Sequence, residues 1–134
     1  MTIEYDESYQ DCFVCGKENQ AGMKLDFHYD ADQDEMSTRY VFMRYMQGYS
    51  GVVHGGFISM ILDEVMAKAC IHRGAIAVTV QFEVRFRKPV HVQEEMSFYG
   101  KVAEQRGKKI RTESRCVDVE NQIRATASAL FLKM

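Results

Sequence analysis

Two adjacent carboxylates, Asp63 and Glu64, interrupt an otherwise apolar stretch of the chain. Burying an ionised carboxylate is costly unless it is paired or hydrogen-bonded. Helical spacing separates the two acids. Glu64 has Lys68 four residues on, the favourable order for an ion pair on a helix surface. Asp63 has Ala67 at that spacing, with Ser59 and Met60 one turn back, so no cation is local to it. A carboxylate in this position is a candidate general base or nucleophile, unless a partner reaches it from elsewhere in the chain.

His54-Gly55-Gly56 stands just ahead of the same stretch. A helix N-terminus exposes unpaired N–H groups and a partial positive charge. Glycines there let a substrate carbonyl approach those N–H groups, which is the geometry of an oxyanion hole. Gly55 lies eight residues before Asp63, roughly 12 Å of helix rise. One helix therefore cannot bring both groups to one carbonyl. Either Asp63 is idle, or a second copy of the helix supplies it across a two-fold interface.

The cysteines offer less. Cys12-x-x-Cys15 has half the ligand spacing of a zinc site. No second Cys-x-x-Cys or His-x₃-His completes it, with His28, Cys116 or a symmetry mate as the loose candidates. The preferred reading is a structural turn with no metal, its thiols packed as small apolar groups. A redox role would need a βαβ setting that the pattern lacks. Cys70 reads as helix core and Cys116 as part of a strand.

These groups need elements to position them. Residues 25–29 and 37–43 alternate and read as two strands around a polar turn. Residues 47–56 hold four glycines and form a loop with special backbone requirements. Residues 57–72 are apolar around nearly the whole circumference of a helix, so this helix is expected to be buried. Arg73-Gly74 is a plausible stop. Ile76, Val78, Val80, Phe82, Val84 and Phe86 then alternate with more polar residues, giving a long strand with one apolar face, ended by Pro89. A strand around Met96 to Val102 and two more at 109–119 and 122–132 follow. Sequential strands with short turns are antiparallel. The fold class is α+β, one helix against one antiparallel sheet. Because a flat sheet cannot cover such a helix, the sheet must curl around it or a second subunit must complete the burial.

The 134 residues make one domain, 46% hydrophobic and 27% charged. A net charge of −2 leaves no basic surplus to drive nucleic-acid binding. No run is long enough to span a membrane. The acidic start, Met1 to Glu7, is unlike a signal peptide, so the expected location is cytoplasmic with reduced thiols. One proline suits long uninterrupted strands. Nine methionines and eight phenylalanines suit an acyl-sized pocket or an interface, with Met43, Met46, Phe57, Met60, Met66 and Phe82 falling where these would lie.

Gly51-Val52-Val53-His54-Gly55-Gly56, Asp63 nine residues after His54, Thr79-Val80-Gln81 and Lys88-Pro89 together resemble the PaaI-like hotdog-fold acyl-CoA thioesterases. Residues 1–23 form a Cys-containing leader. Within it, Cys12-Phe13-Val14-Cys15-Gly16 and Gly22-Met23-Lys24-Leu25 just after resemble the leader of a subset of that family. The resemblance implies a hotdog fold, a curved sheet of about six strands around one central helix. It implies hydrolysis of a small-to-medium or aromatic acyl-CoA by a dimer or dimer of dimers, with no cofactor beyond the coenzyme A of the substrate. Gly55 would bind the thioester oxygen, His54 would shape the loop, and Asp63 of the partner would act as base or nucleophile. Thr79 would help hold the water and Gln47 would lie near the thioester. Arg87, Lys88 and Gly56 are assigned to the coenzyme A moiety, with Arg85, Arg106, Lys108, Lys109 and Arg111 as further basic candidates. A non-catalytic acyl-CoA-binding protein and a hotdog dehydratase acting on a hydroxyacyl thioester are the competing functions.

Overall fold

The computed structural model describes residues 10–134. The first nine residues of the 1–23 leader, including the acidic Met1 to Glu7 stretch, lie outside it. The elements are β1 (His28–Asp30), β2 (Glu35–Val41), a 3₁₀ turn (Arg44–Met46), α1 (Gly55–His72), β3 (Ala77–Phe86), β4 (Glu95–Arg106), β5 (Lys109–Val117) and β6 (Ile123–Lys133). The six strands form one sheet in the order β1-β2-β4-β5-β6-β3, with every neighbouring pair antiparallel. The sheet packs against one side of α1, which is the hotdog arrangement.

The expected order of two strands, a helix and four strands is observed, with shifted ends. The helix begins two residues earlier than its apolar pattern, because His54 caps it: Nδ1 accepts the Gly56 N–H at 2.9 Å. It stops at Arg73, followed by Gly74 at φ +82°.

Within one chain α1 is not buried all round. Ile58, Ile61, Leu62, Val65, Met66, Ala69 and Cys70 form a single buried face. Phe57, Met60 and Ala67 flank it, half-buried. A sheet curves around one side of a helix and leaves the other flank to whatever else packs there. The methionines divide accordingly: Met46 and Met66 are core, Met60 is half-buried and Met43 is exposed.

The helix and sheet meet most closely at Gly100 of β4. A Cβ there would fall 2.9 Å from the carbonyl carbon and oxygen of Val65. Nearby, the Ser114 hydroxyl donates to Leu62 O at 3.1 Å, satisfying a buried group on each element.

The long third strand departs from simple alternation. Its register with β6 shifts between Thr79 and Gln81, so Val80 is an extra, bulged residue. Opposed residues share a face. Thr79 pairs with the fully buried Phe131, whereas Phe82, Val84 and Phe86 pair with Ala129, Ala127 and Ala125, which are also buried. Val78 pairs with Leu132, which is exposed on the outer side. The bulge therefore corrects the expected single apolar face: it moves Thr79 onto the helix side together with Phe82, Val84 and Phe86, and leaves Val78 outside.

A Gly100→Ala substitution pushes a methyl group into the Val65 carbonyl as well as into its Cγ1, and the carbonyl belongs to helix backbone that cannot simply turn aside. The substitution is expected to cost about 1–3 kcal/mol of stability, the range for overpacking a close contact. Denaturant unfolding of the two proteins under one set of conditions measures the difference, and unchanged stability would show that the helix does not rest on this strand.

Candidate active site

The glycine loop is held by its own backbone. The Gly48 N–H donates to Val52 O at 2.8 Å, Val53 N–H to Val90 O at 2.8 Å, and His54 N–H to Met46 O at 2.9 Å. Gln47 accepts the Gly51 N–H on its side-chain oxygen at 2.8 Å, and Gly51 takes φ +78°. Gln47 is thus committed through its oxygen to closing the loop that sets His54.

The imidazole that accepts the Gly56 N–H at Nδ1 carries its proton on Nε2 when neutral. His54 therefore has a cap at one nitrogen and a donor at the other. Phe57 N–H is taken by His54 O at 3.0 Å. The Gly55 N–H has no acceptor among the described residues and remains available at the positive end of the helix.

Gly55 has no room for a side chain. A Cβ would meet the Phe86 ring at 3.0 Å. The two residues line a recess of about 330 Å³ with Val52, Arg87, Lys88 and Pro89. Gly55, Arg87 and Lys88, predicted separately, thus meet in one place. The basic segment is anchored there: Arg87 N–H and Lys88 N–H donate to Arg124 O, and the Arg124 guanidinium also donates to Pro89 O. Arg124 in turn pairs with Asp118 at 2.8 Å. Two backbone N–H groups, from Gln122 and Glu120, and Arg124 hold the Asp118 carboxyl below its ordinary range.

Gly56 is elsewhere. Its N–H is spent on His54, and it lines a second, apolar recess of about 380 Å³ with Phe13, His54, Phe57 and Met60. The structure does not bring it to Arg87 and Lys88. Of the other basic candidates, Arg85 lines the outer face of the sheet beside Glu83 and Arg115, and Arg111 another part of that face. Arg106 pairs with Glu104 at 3.0 Å.

Asp63 is half-buried and accepts one hydrogen bond, from Thr79 Oγ1 to Oδ1, at 2.7 Å. It has no ion pair among the described residues. Burial pushes its pKa above the ordinary value, and the Thr79 hydrogen bond partly offsets this. The bulge at Val80 makes this contact possible.

Glu64 is not on an open helix surface beside Lys68, as its spacing suggested. It lies under the leader, with Cys12 Sγ 4.0 Å from Oε2. Burial pushes its pKa up, while Cys15 and Lys68 oppose the shift. The Lys68 ammonium also stands 5.7 Å from the Phe27 ring centroid. All four cysteines are free thiols, and burial is the main reason the Cys15 thiol is pushed up to about 12.

Sequence reasoning missed Phe86 against Gly55, the closeness of Glu64 to the thiols, and Phe13 in the apolar recess. An aromatic residue directly before Arg87-Lys88-Pro89 was the available signal for the first.

A family model described as the thioesterase superfamily matches residues 50–125, more than half of the chain and the segment that carries His54, Gly55, Asp63 and Thr79. The chain is similar to a crystal structure described as a thioesterase superfamily protein, at 25% identity and TM-score 0.86 over 92% of this chain. It spans 61% of that protein's length. It shares its fold with the E. coli PaaI protein from the phenylacetic acid degradation operon, at 17% identity and TM-score 0.82, covering 98% of this chain and 95% of that one. It shares it also with a hypothetical thioesterase from Streptococcus pneumoniae determined with coenzyme A, at 15% identity and TM-score 0.75, covering 82% and 88%. Alanine variants of that protein, one replacing an aspartate and one a threonine sixteen residues further on, have also been crystallised. With a family match over its central helix and most of its sheet, this chain belongs to the thioesterase superfamily.

Proposed function

We propose that the protein hydrolyses a small-to-medium or aromatic acyl-CoA to the free acid and coenzyme A. The observation that carries this is Asp63, a half-buried carboxylate with a hydroxyl for company and no cation. Thr79 occupies Oδ1, which leaves Oδ2 to accept a proton from water. The resulting hydroxide attacks the thioester carbonyl carbon. The carbonyl oxygen gains negative charge and is stabilised by the Gly55 N–H. Collapse of the adduct expels coenzyme A as its thiolate, which takes up a proton, and releases the acid. His54 holds the loop and presents Nε2–H toward the reacting group. Gln47 holds that loop from the other side. Arg87 and Lys88 receive the phosphates of coenzyme A at the mouth of the recess. The chemistry draws on these residues and water, with no further cofactor.

Several comparisons support the reading. The S. pneumoniae relative holds coenzyme A, and its substituted aspartate and threonine have the sixteen-residue spacing of Asp63 and Thr79. The operon of the E. coli relative supports an aromatic acyl group. The helix rise of roughly 12 Å between Gly55 and Asp63 supports a site in which the two come from different copies. The edge strand β3, with Val78, Val80, Phe82 and Phe86 36–54% exposed, is a fitting surface for a homodimer, alone or as half of a tetramer. Free thiols accord with the cytoplasm.

Asp63→Asn is expected to lower kcat on a responsive acyl-CoA by about 10²–10⁴-fold, the contribution of a positioned base. Thiol release assayed across an acyl-CoA panel measures this, and undiminished turnover would remove Asp63 from the mechanism.

The acid limb of the rate profile should follow ionisation of Asp63, with activity lost as pH falls through a pKa raised above 3.8. The Thr79 hydrogen bond lowers that pKa, so Thr79→Val raises it and shifts the limb to higher pH. A limb that stays in place would mean that another group controls it.

A further inference from the structure

The Cys12–Cys15 turn is built tightly and laid on the far flank of α1. The Gly16 N–H donates to Cys12 O at 2.9 Å. A Cβ at Gly16 would fall 2.2 Å from Gln10 O and 2.5 Å from Cys12 N, so the turn closes only with glycine. Leu25 N–H to Val14 O, at 2.9 Å, and Met23 N–H to Phe13 O, at 2.8 Å, pin the segment after it. Val14 and Cys15 are buried. Both thiols face the same carboxylate: one ligand atom each from Cys12, Cys15 and Glu64 lies within 4.8 Å of the other two.

We propose that Cys12, Cys15 and Glu64 bind a divalent cation of the zinc class, which clasps the leader to α1, with water as the fourth ligand. A structural turn alone does not explain why the helix directs a carboxylate into two thiols. Two sulfurs and one carboxylate oxygen are a donor set for zinc and too soft for magnesium or calcium. Tetrahedral coordination with Zn–S about 2.3 Å and Zn–O about 2.0–2.2 Å sets these atoms about 3.6–3.8 Å apart. The Cys12–Glu64 distance of 4.0 Å is a few tenths of an ångström above this, and with all three ligand atoms within 4.8 Å of one another the contraction needed is about 1 Å at most.

The charges also close. Two thiolates and a carboxylate carry three negative charges, and a divalent cation leaves one. The Lys68 ammonium, which acts electrostatically on both Cys15 and Glu64, balances it. The two thiol protons leave to solvent as the ion binds. The ligand count from sequence stopped at cysteine and histidine, whereas the fold supplies Glu64 from fifty-two residues away. The clasp also places Phe13, between the two cysteines, as a wall of the apolar recess beside His54 and Gly56. Its ligands do not include Asp63, and it holds whether or not thioesters are the substrate.

The test uses the full chain under reductant, stripped by a chelator and titrated with Co²⁺. A near-UV thiolate-to-cobalt band and tetrahedral visible bands should saturate at one ion per chain, and zinc should displace them. Zinc should raise the melting temperature. The double substitution Cys12→Ser, Cys15→Ser should abolish both responses with the circular dichroism retained. Glu64→Gln should weaken binding at least tenfold, about the least that loss of even an outer-shell partner costs. Absence of the charge-transfer band in the unaltered chain overturns the site, whatever the variants do. So does a band that survives loss of both thiols, and unchanged affinity in Glu64→Gln removes the carboxylate from it.

Discussion

The contact between Gly100 and the backbone of Val65 sets how deeply α1 lies in the sheet, and most of the structure depends on that depth. With no side chain at Gly100, the strand comes down onto the backbone carbonyl of Val65 as well as its side chain. The Ser114 hydroxyl on Leu62 O and the Thr112 hydroxyl on Met66 Sδ, both at 3.1 Å, fix the helix along and around its axis. A helix turns about 100° per residue. Once its buried face is fixed, two adjacent residues at the edge of that face must leave in different directions. Asp63 goes to β3 and Glu64 to the leader.

Two carboxylates one residue apart therefore acquire different chemistry. Burial raises the pKa of both. Among the described residues Asp63 is answered by one hydroxyl, which leaves its other carboxylate oxygen without a partner there, the basis of its proposed role as base. Glu64 is answered by two thiols and the field of Lys68, a setting of ligands and counter-charge rather than of acid–base turnover. Packing makes this distinction. Composition does not, since aspartate and glutamate differ by one methylene.

The order of elements was legible because the periods of α1 and the strands are long and clean, and because Gly74 and Pro89 punctuate them. The separation of Glu64 from Asp63 was legible from Lys68, although the environment of Glu64 was not. That environment depends on a leader packing fifty-two residues from its own position. The face of Thr79 was misread for a definite reason. A bulge inserts one residue and inverts every side chain after it, and an apolar residue at the bulge, Val80, leaves the alternating pattern apparently intact. The recess around Gly55 was half legible. Spacing identified the glycine and the basic pair, while Phe86 was absorbed into a strand pattern that it also satisfies. Gly56 lies in a different recess from Arg87 and Lys88, its N–H consumed by the cap of the preceding histidine, a contact that needs coordinates to be seen.

The same bulged strand bears on the proposed arrangement of half a site per chain. β3 is the last strand of the sheet and ten residues long, and its free edge offers unpaired backbone groups beside exposed valine and phenylalanine. Such an edge is an aggregation hazard unless something pairs with it. The strand also joins the two halves of the chemistry, with Thr79 and Asp63 at one end and Phe86 and Gly55 at the other. Seven residues of strand, about 23 Å, keep those ends apart within one chain. In an antiparallel pairing of two β3 edges about a two-fold axis between Phe82 and Glu83, each Thr79 end lies beside the other copy's Phe86 end. In the proposed dimer that pairing would cover the edge, bury the apolar side chains and bring Asp63 of one copy toward Gly55 of the other. One geometric operation would thus answer both the hazard of the edge and the helix rise that separates the proposed base from the proposed oxyanion donor.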